Sequence, residues 1–250
     1  MKVSIITVSY NSASTIKDTI ESVASQTYDN IEYIVVDGNS KDKTVDIVTS
    51  YSKVIDKVVS EPDKGIYDAM NKGVQLATGD IVGILNSDDF YETTTVIEDI
   101  VKHFKNNKSS DIVFGDVVFV EPNNLKKVVR YYSSEKFKSS KLRFGWMPPH
   151  PATFIRKSVY DKYGLYKLGY KISADYEMFV RLLMVAKLSF SRIDKIIVRM
   201  RSGGASTDGI QSSITLNKEI VKACRENGIY TNLFIVLLKM PFKLLELIKR

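Results

Sequence analysis

Apolar and polar residues alternate in blocks along the first hundred residues. Residues 3–10 are β-branched and apolar, and residues 14–25 then set Ile16, Ile20, Val23 and Ala24 at helical spacing, so a strand followed by a helix is predicted. Residues 31–36 predict the next strand, ended by Asp37-Gly38-Asn39-Ser40, and residues 41–51 a second helix with Val45, Ile47 and Val48. A weaker strand at 54–59, a helix at 65–77, a strong strand at 80–85 and a helix at 93–105 complete four βα units. Such a series points to an α/β fold with a Rossmann-like, mainly parallel, doubly wound sheet.

From residue 111 the pattern changes. Residues 112–120 and 126–132 predict two strands joined by a Pro122-Asn123-Asn124 turn, a small antiparallel addition. Residues 134–151 are irregular and carry Trp146 and the Pro148-Pro149-His150-Pro151 cluster, then 152–156 read as a strand and 157–163 as a short helix. A clear amphipathic helix is predicted at 174–186, an extended segment at 189–200, and helix from about 210 to 250 with breaks at Gly228 and Pro241. The chain therefore divides into one α/β domain at 1–205, with its nucleotide-binding half at 1–110 and a second half at 111–205, and a helical segment at 206–250.

Composition narrows the class without naming a function. With 250 residues, 44% hydrophobic and 26% charged, the chain reads as a soluble globular protein able to bury a full core. Cys224 is the single cysteine, which excludes an internal disulfide framework or a cysteine-based zinc cluster and predicts a buried thiol in a reducing compartment. The first residues turn polar too early for a secretion signal, and no apolar run reaches the roughly 20 residues a membrane span needs. A cytoplasmic protein is expected. The net charge of +7 suits anionic partners: phosphorylated small molecules, phospholipid headgroups or nucleic acid.

Open parallel sheets bind ligands at the carboxyl ends of their strands. Three such ends carry suitable groups: Thr7, Ser9, Tyr10 and Asn11 after the first, Asp37, Gly38 and Ser40 after the second, and Asn86, Ser87, Asp88 and Asp89 after the fourth. Adjacent carboxylates behind a buried strand repel each other unless a hard divalent cation and a diphosphate sit between them, so Asp88-Asp89 is the metal candidate. The same pair would also serve as a helix N-cap. No dinucleotide-type or P-loop glycine pattern follows a strand, so phosphate must be held by a cation and basic side chains. Asp175, in Ala174-Asp175-Tyr176-Glu177, suits a general base if the fold brings it to the crevice, and equally a first-turn acid on a helix dipole. His150 and Arg201 are candidate acceptor or diphosphate contacts, Arg201 opening an Arg201-Ser202-Gly203-Gly204-Ala205-Ser206 segment suited to a lid or a linker.

Six segments in this order resemble family 2 of the inverting glycosyltransferases, of GT-A fold, over roughly the first 200 residues. They are Ser4-Ile5-Ile6-Thr7-Val8-Ser9-Tyr10-Asn11, Ile34-Val35-Val36-Asp37-Gly38-Asn39-Ser40-Lys41-Asp42, Gly65-Ile66-Tyr67-Asp68-Ala69-Met70-Asn71-Lys72-Gly73, Ala77-Thr78-Gly79-Asp80, Leu85-Asn86-Ser87-Asp88-Asp89 and Ala174-Asp175-Tyr176-Glu177. The resemblance implies a UDP-sugar donor contacted by Thr7, Tyr10, Asn11, Asp37, Asp63, Lys64, Asp68, Lys72, Ser87 and Asp88, with Asp37 the partner of the base. It implies Mn2+ or Mg2+ on Asp89, Asp175 as the base, and residues 111–205 as the acceptor side. The 65–73 segment resembles a branch that makes bacterial cell-surface polysaccharide such as O-antigen, with a lipid-linked saccharide as acceptor. Gly38 departs from the second of two acids common after the second strand, and Ala174 from the Glu common before the base.

The apolar residues 233–250, punctuated by Lys239, Lys243, Lys249 and Arg250, read either as a helix lying in a membrane interface or as one packed on the body of the domain or on a second copy in a homodimer. The first reading expects peripheral attachment at the inner face of the cytoplasmic membrane. Two rival functions are weighed. A nucleotidyltransferase calls for a glycine-rich basic loop after the first strand, where this chain has Ser9-Tyr10-Asn11-Ser12-Ala13. A non-catalytic carbohydrate- or nucleic-acid-binding protein would use Trp146, the tyrosines and the positive charge, but acids crowd the predicted crevice and would repel a polyanion, so no nucleic acid is expected.

Overall fold

A computed structural model of the chain describes residues 1–203 and 209–238. The β1 strand (Val3–Ser9) is buried at all seven positions, which a strand achieves only when the sheet is covered on both faces. Beside it lie β2 (Ile31–Asp37) and β4 (Ile81–Ile84), both parallel to β1, with β3 (Lys57–Ser60) parallel to β2 at the edge. The half-exposed β3 explains its weaker apolar pattern. Beyond β4 the sheet becomes mixed: β8 (Thr153–Arg156) runs antiparallel to β4, β6 (Ile112–Glu121) antiparallel to β8, and β9 (Phe190–Arg201) parallel to β6. Two further strands finish it, β5 (Phe90–Tyr91) on β9 and β7 (Asn124–Tyr132) on β6. The parallel part predicted from the βα series is present, and the antiparallel addition is more extensive than one hairpin because β8 is inserted between β4 and β6.

Helices cover each face according to the alternation of the strands. On one side α1 (Ile16–Ala24), α2 (Thr44–Ser50) and α4 (Val96–Asn106) pack Ile16, Ile20, Val48, Ile100 and Phe104 against Val3, Ile5 and Val35. On the other, α3 (Ile66–Leu76), α5 (Lys157–Tyr163), α6 (Ala174–Phe179) and α7 (Gly209–Glu226) meet Ile6, Val8, Ile34 and Val36. The helix predicted at 174–186 is α6 followed by π-type turns over Val180–Val185, in which the Ala186 N–H donates to the Arg181 carbonyl at 2.9 Å. Cys224 is buried in α7, as expected of a packed free thiol, and α7 shares its core with α6. After α7 comes α8 (Leu233–Leu237), capped by Asn232 Oδ1 accepting the Ile235 N–H at 3.0 Å. Residues 204–206 of the lid candidate and 239–250 of the C-terminal segment, including Pro241, lie outside the described residues. Among the described residues no helix is long and apolar enough to cross a membrane.

The strand order β3-β2-β1-β4 reverses direction between β1 and β4, and that reversal opens a crevice at the carboxyl ends of both. One close approach sets the depth of the adjoining wall. A Cβ added to Gly73 on α3 would stand 2.3 Å from Ile6 Cγ2 of β1, so the helix lies directly on the strand. Gly73→Ala is therefore expected to destabilise the fold by about 1–3 kcal/mol through overpacking. Urea unfolding checks this: the midpoint falls with the slope unchanged, and an unaltered midpoint would show that α3 has room to shift.

Candidate active site

A cleft of about 840 Å3 occupies the crevice, with walls contributed by the ends of β1 and β4, the start of α3 and the start of α6. Asp37 ends β2 and is buried. Its Oδ1 accepts from Ser9 Oγ at 3.2 Å and Ser40 Oγ at 2.5 Å, and its Oδ2 from the Ser40 N–H at 2.9 Å and Ser60 Oγ at 2.8 Å. These four bonds tie the ends of β1, β2 and β3 together and fill the acceptor capacity of the carboxylate. Thr7 is likewise buried, its hydroxyl paired with Tyr33 at 3.1 Å. Neither Thr7 nor Asp37 lines the cleft.

After β4 the chain turns tightly and presents Asn86, Ser87, Asp88 and Asp89 to the cleft. Burial raises the pKa of Asp88 and raises that of Asp89 well above the ordinary carboxylate value, the Asp88 charge adding to the effect at Asp89. Asn86 Nδ2 donates to Asp89 Oδ2 at 3.2 Å, while Asn86 Oδ1 is buried without a hydrogen-bond partner. Two desolvated carboxylates and an orphaned amide oxygen are an all-oxygen set of the hard type that Mn2+ or Mg2+ takes, so these residues fit such an ion. Among the described residues no group of three His, Cys, Asp or Glu is assembled, so a cation there needs oxygens from elsewhere, as a diphosphate would supply. Arg201 closes this end. Its guanidinium donates to the Asp88 carbonyl at 2.6 Å, pairs with Asp18 and lies 5.4 Å from the Phe90 ring centroid.

Asp175 opens α6, half-buried, and lines the same cleft. Its Oδ1 accepts from the Tyr176 N–H at 2.8 Å and from the Tyr67 hydroxyl at 3.1 Å, and that hydroxyl also donates to the Ile172 carbonyl at 2.5 Å. No other residue among the described ones hydrogen-bonds Oδ2. Burial raises the Asp175 pKa, offset in part by His150 and by these bonds. His150 is held neutral by burial, its Nε2 lying 2.8 Å from the Tyr166 hydroxyl. The loop before α6 is fixed from α7, where the Glu219 carboxylate accepts the N–H groups of Lys171, Ile172 and Ser173 at 2.7, 3.0 and 3.0 Å.

Of the residues singled out from the sequence, Tyr10, Asn11, Asp63, Ser87, Asp88, Asp89, His150, Asp175 and Arg201 meet in this one cleft. Lys64, Asp68 and Lys72 do not line it. Asp68 Oδ2 accepts the Lys64 N–H at 3.0 Å, and Lys72 bonds the Pro62 carbonyl at 2.9 Å and Glu61 at 2.8 Å, so this group braces the loop before α3 from behind. The reason is helical phase: positions 66, 67 and 70 of α3 face the cleft and position 68 faces away. Tyr67 and Lys171, which the sequence reading passed over, are on the cleft wall; Tyr67 stood inside the quoted 65–73 segment, one position from Asp68.

Residues 4–164 match the family described as Glycosyl transferase family 2. The chain belongs to that family. Family 2 relatives include a PGL/p-HBAD biosynthesis glycosyltransferase of Mycobacterium tuberculosis, 32% identical over 182 residues, or 71% of this chain and 68% of the relative. An uncharacterised glycosyltransferase of the same organism is 34% identical over 188 residues, 74% of this chain and 70% of its own. Among solved structures, S. aureus TarS 1–349 in complex with UDP-GlcNAc superimposes with a TM-score of 0.70 at 20% identity, covering 89% of this chain and 66% of that one. The mannosyltransferase PcManGT from Pyrobaculum calidifontis, in complex with GDP-Man and Mn2+, gives 0.69 at 17% identity over 99% and 73%. The match spans 65% of TarS 1–349 alone and 40% of the longer TarS structure. These likenesses show the GT-A fold, and the family makes the protein a glycosyltransferase.

The Asp88-Asp89 pair sets a pH dependence for the family 2 protein without ligand. Both carboxyls titrate higher folded than the ordinary 3.8, so the folded state holds protons that the unfolded chain has released. Stability then falls as pH rises from about 3.8 through the raised values, and the penalty is complete only above them. Asp89→Asn is expected to raise the melting temperature at pH 7.5 by roughly 2–4 °C, the change about 1 kcal/mol makes in a domain of this size. The gain should shrink as the buffer approaches pH 4. Thermal melts across that range decide it, and equal melting temperatures at pH 7.5 would mean the carboxylates are not strained.

Proposed function

We propose that the protein transfers a sugar from a nucleotide-sugar, a UDP-sugar, to an acceptor hydroxyl with inversion at the anomeric carbon. The observation that carries this reading is Asp175: one oxygen is fixed by Tyr67 and the helix N–H, the other is free, and it shares a cleft with Asp88 and Asp89. The free oxygen accepts the proton of the acceptor hydroxyl as that oxygen bonds the anomeric carbon. The bond from this carbon to the diphosphate oxygen breaks, and the nucleoside diphosphate leaves from the opposite face. A raised pKa makes Asp175 the stronger base. Mn2+ or Mg2+ held by Asp89 and Asp88 would neutralise the charge that develops on the leaving diphosphate. Arg201 and Lys171 line the same cleft and add positive charge. The complexes of TarS with UDP-GlcNAc and of PcManGT with GDP-Man and Mn2+ support the choice of donor class and ion.

The acceptor in this reading is a lipid-linked saccharide of cell-surface polysaccharide synthesis, met at the inner face of the cytoplasmic membrane. Support comes from the C-terminal face, where Tyr230, Leu233, Phe234, Leu237 and Leu238 are exposed, Phe234 at 74%, next to a groove lined by Lys218, Lys222 and Arg225. Apolar side chains beside cations suit an anionic bilayer surface.

Calorimetric titration with UDP, GDP and dTDP, with and without Mn2+, tests the donor reading: one nucleotide should bind in a metal-dependent way, weakened in Asp89→Ala, and no binding at all would sink it. Asp175→Asn should keep nucleotide binding while transfer drops about 10^2–10^4-fold. The acid limb of kcat/KM should lie above pH 3.8 and move further up in Tyr67→Phe, which removes a hydrogen bond favouring the ionised carboxylate. An acid limb unmoved by that change would remove Tyr67 from the role. Flotation with anionic vesicles should carry the wild-type chain and leave Phe234→Glu behind; equal recovery of both would dissociate this face from the membrane.

A further inference from the structure

The carboxylate at the end of β2 is spent on the fold. Asp37 takes two donors on each oxygen, from Ser9, Ser40 and Ser60, and does not line the cleft. A different carboxylate reaches the cleft beside it. Asp63, in the loop between β3 and α3, uses Oδ1 to accept the Gly65 N–H at 2.8 Å, and its Oδ2 has no hydrogen-bond partner among the described residues. That free oxygen stands where a side chain at position 38 would go: a Cβ built on Gly38 would lie 2.5 Å from Asp63 Oδ2 and 3.4 Å from Cδ2 of the Tyr10 ring. The bare Gly38 thus lets an unpartnered carboxylate oxygen stand close to the Tyr10 ring, which is 63% exposed, and both belong to the cleft lining.

We propose that Asp63 is the residue that reads the nucleotide base, accepting a ring N–H while the base lies on Tyr10, and that Gly38 is there to admit it. The proposal rests on the nucleotide-sugar reading above and adds the residue that selects the base. A flat π face accepts any base, so selection falls to the acceptor. A carboxylate oxygen is acceptor-only when ionised, and it matches the N3–H of uracil or thymine and the N1–H of guanine. Cytosine turns an unprotonated N3 toward the same point, lone pair against lone pair. A site built around one donated hydrogen bond rejects the analogue that lacks it more strongly than any shape filter does.

The test is calorimetric titration of the whole chain with UDP, GDP and CDP in Mn2+, with melting curves to confirm that each variant is folded. Wild type should bind UDP or GDP at least tenfold more tightly than CDP, and the isosteric Asp63→Asn should lose that preference. Gly38→Ala, which puts a methyl against Oδ2, should weaken binding of the preferred nucleotide. The double change Gly38→Asp with Asp63→Gly brings a carboxylate to the same place from the residue after β2 and should restore the preference. If wild type binds UDP, GDP and CDP alike, or if folded Asp63→Asn keeps the preference, the assignment of Asp63 is overturned and the nucleotide reading stands. If no nucleoside diphosphate binds wild type, both fall together.

Discussion

Covering the parallel strands on both faces decides where polar chemistry can stand in this protein. A side chain on β1 or β2 enters one apolar layer or the other, so polar groups within the strands survive only in pairs, as Ser4 Oγ does on Glu32 at 2.6 Å and Thr7 on Tyr33. Unpaired polar groups are pushed to the strand ends. The reversal of strand order between β1 and β4 then separates two of those ends and leaves a crevice, into which Ser87, Asp88 and Asp89 project. The cleft is a consequence of sheet burial before it is a feature of catalysis.

Within that frame, the degree to which a carboxylate is satisfied distinguishes braces from reactive groups. Glu32, at the opposite end of the sheet, would be raised by burial, but bonds from Ser4, Thr78 and Lys57 outweigh this and hold it well below the usual carboxylate range. Asp116 is lowered in the same way: burial is overcome by Arg192, Ser134 and Tyr131. Asp88, Asp89 and Asp175 go the other way, because burial at each exceeds the compensation around it. A carboxylate left in that condition gains most from an arriving cation or proton. The three line one cleft, so the unmet demand is concentrated there.

How much of this could be read from the chain depended on whether the signal was local. The four βα units were legible because a buried parallel strand and its helix each carry their own periodicity, and the Asp88-Asp89 pair because it directly follows an apolar run. The insertion of β8 between β4 and β6 was not legible, since four residues of strand specify no neighbour. Nor was β5, at two residues too short for any period. Tyr67 and Asp68 are adjacent in sequence, and a family likeness supplies no helical phase; packing of Gly73 on Ile6 sets that phase and turns Tyr67 inward. The approach of Asp63 to Gly38 was hidden for a related reason, because it joins two loops 25 residues apart.

The helical segment after residue 205 bears directly on how Asp175 is held. The helical pattern from about residue 210 marks 206–250 as a separate segment, yet α7 carries Glu219, which accepts the N–H groups of Lys171, Ile172 and Ser173 just ahead of α6. Those donors sit just ahead of a helix start, where no carbonyl of α6 can take them. Without the carboxylate they would be partly orphaned, each at a cost of about 1–3 kcal/mol, and the loop would rearrange to recover partners. The Ile172 carbonyl in that loop also anchors the Tyr67 hydroxyl, so a shift there reaches Asp175 from both sides. Asp175 is thus positioned by a helix whose residues Lys218, Lys222 and Arg225 line the groove beside the exposed apolar face. In the proposed reading, contact with a membrane and alignment of the base act on the same helix. A bilayer that fixes α7 would also restrain the loop that aims Asp175, joining acceptor delivery to the geometry of proton transfer.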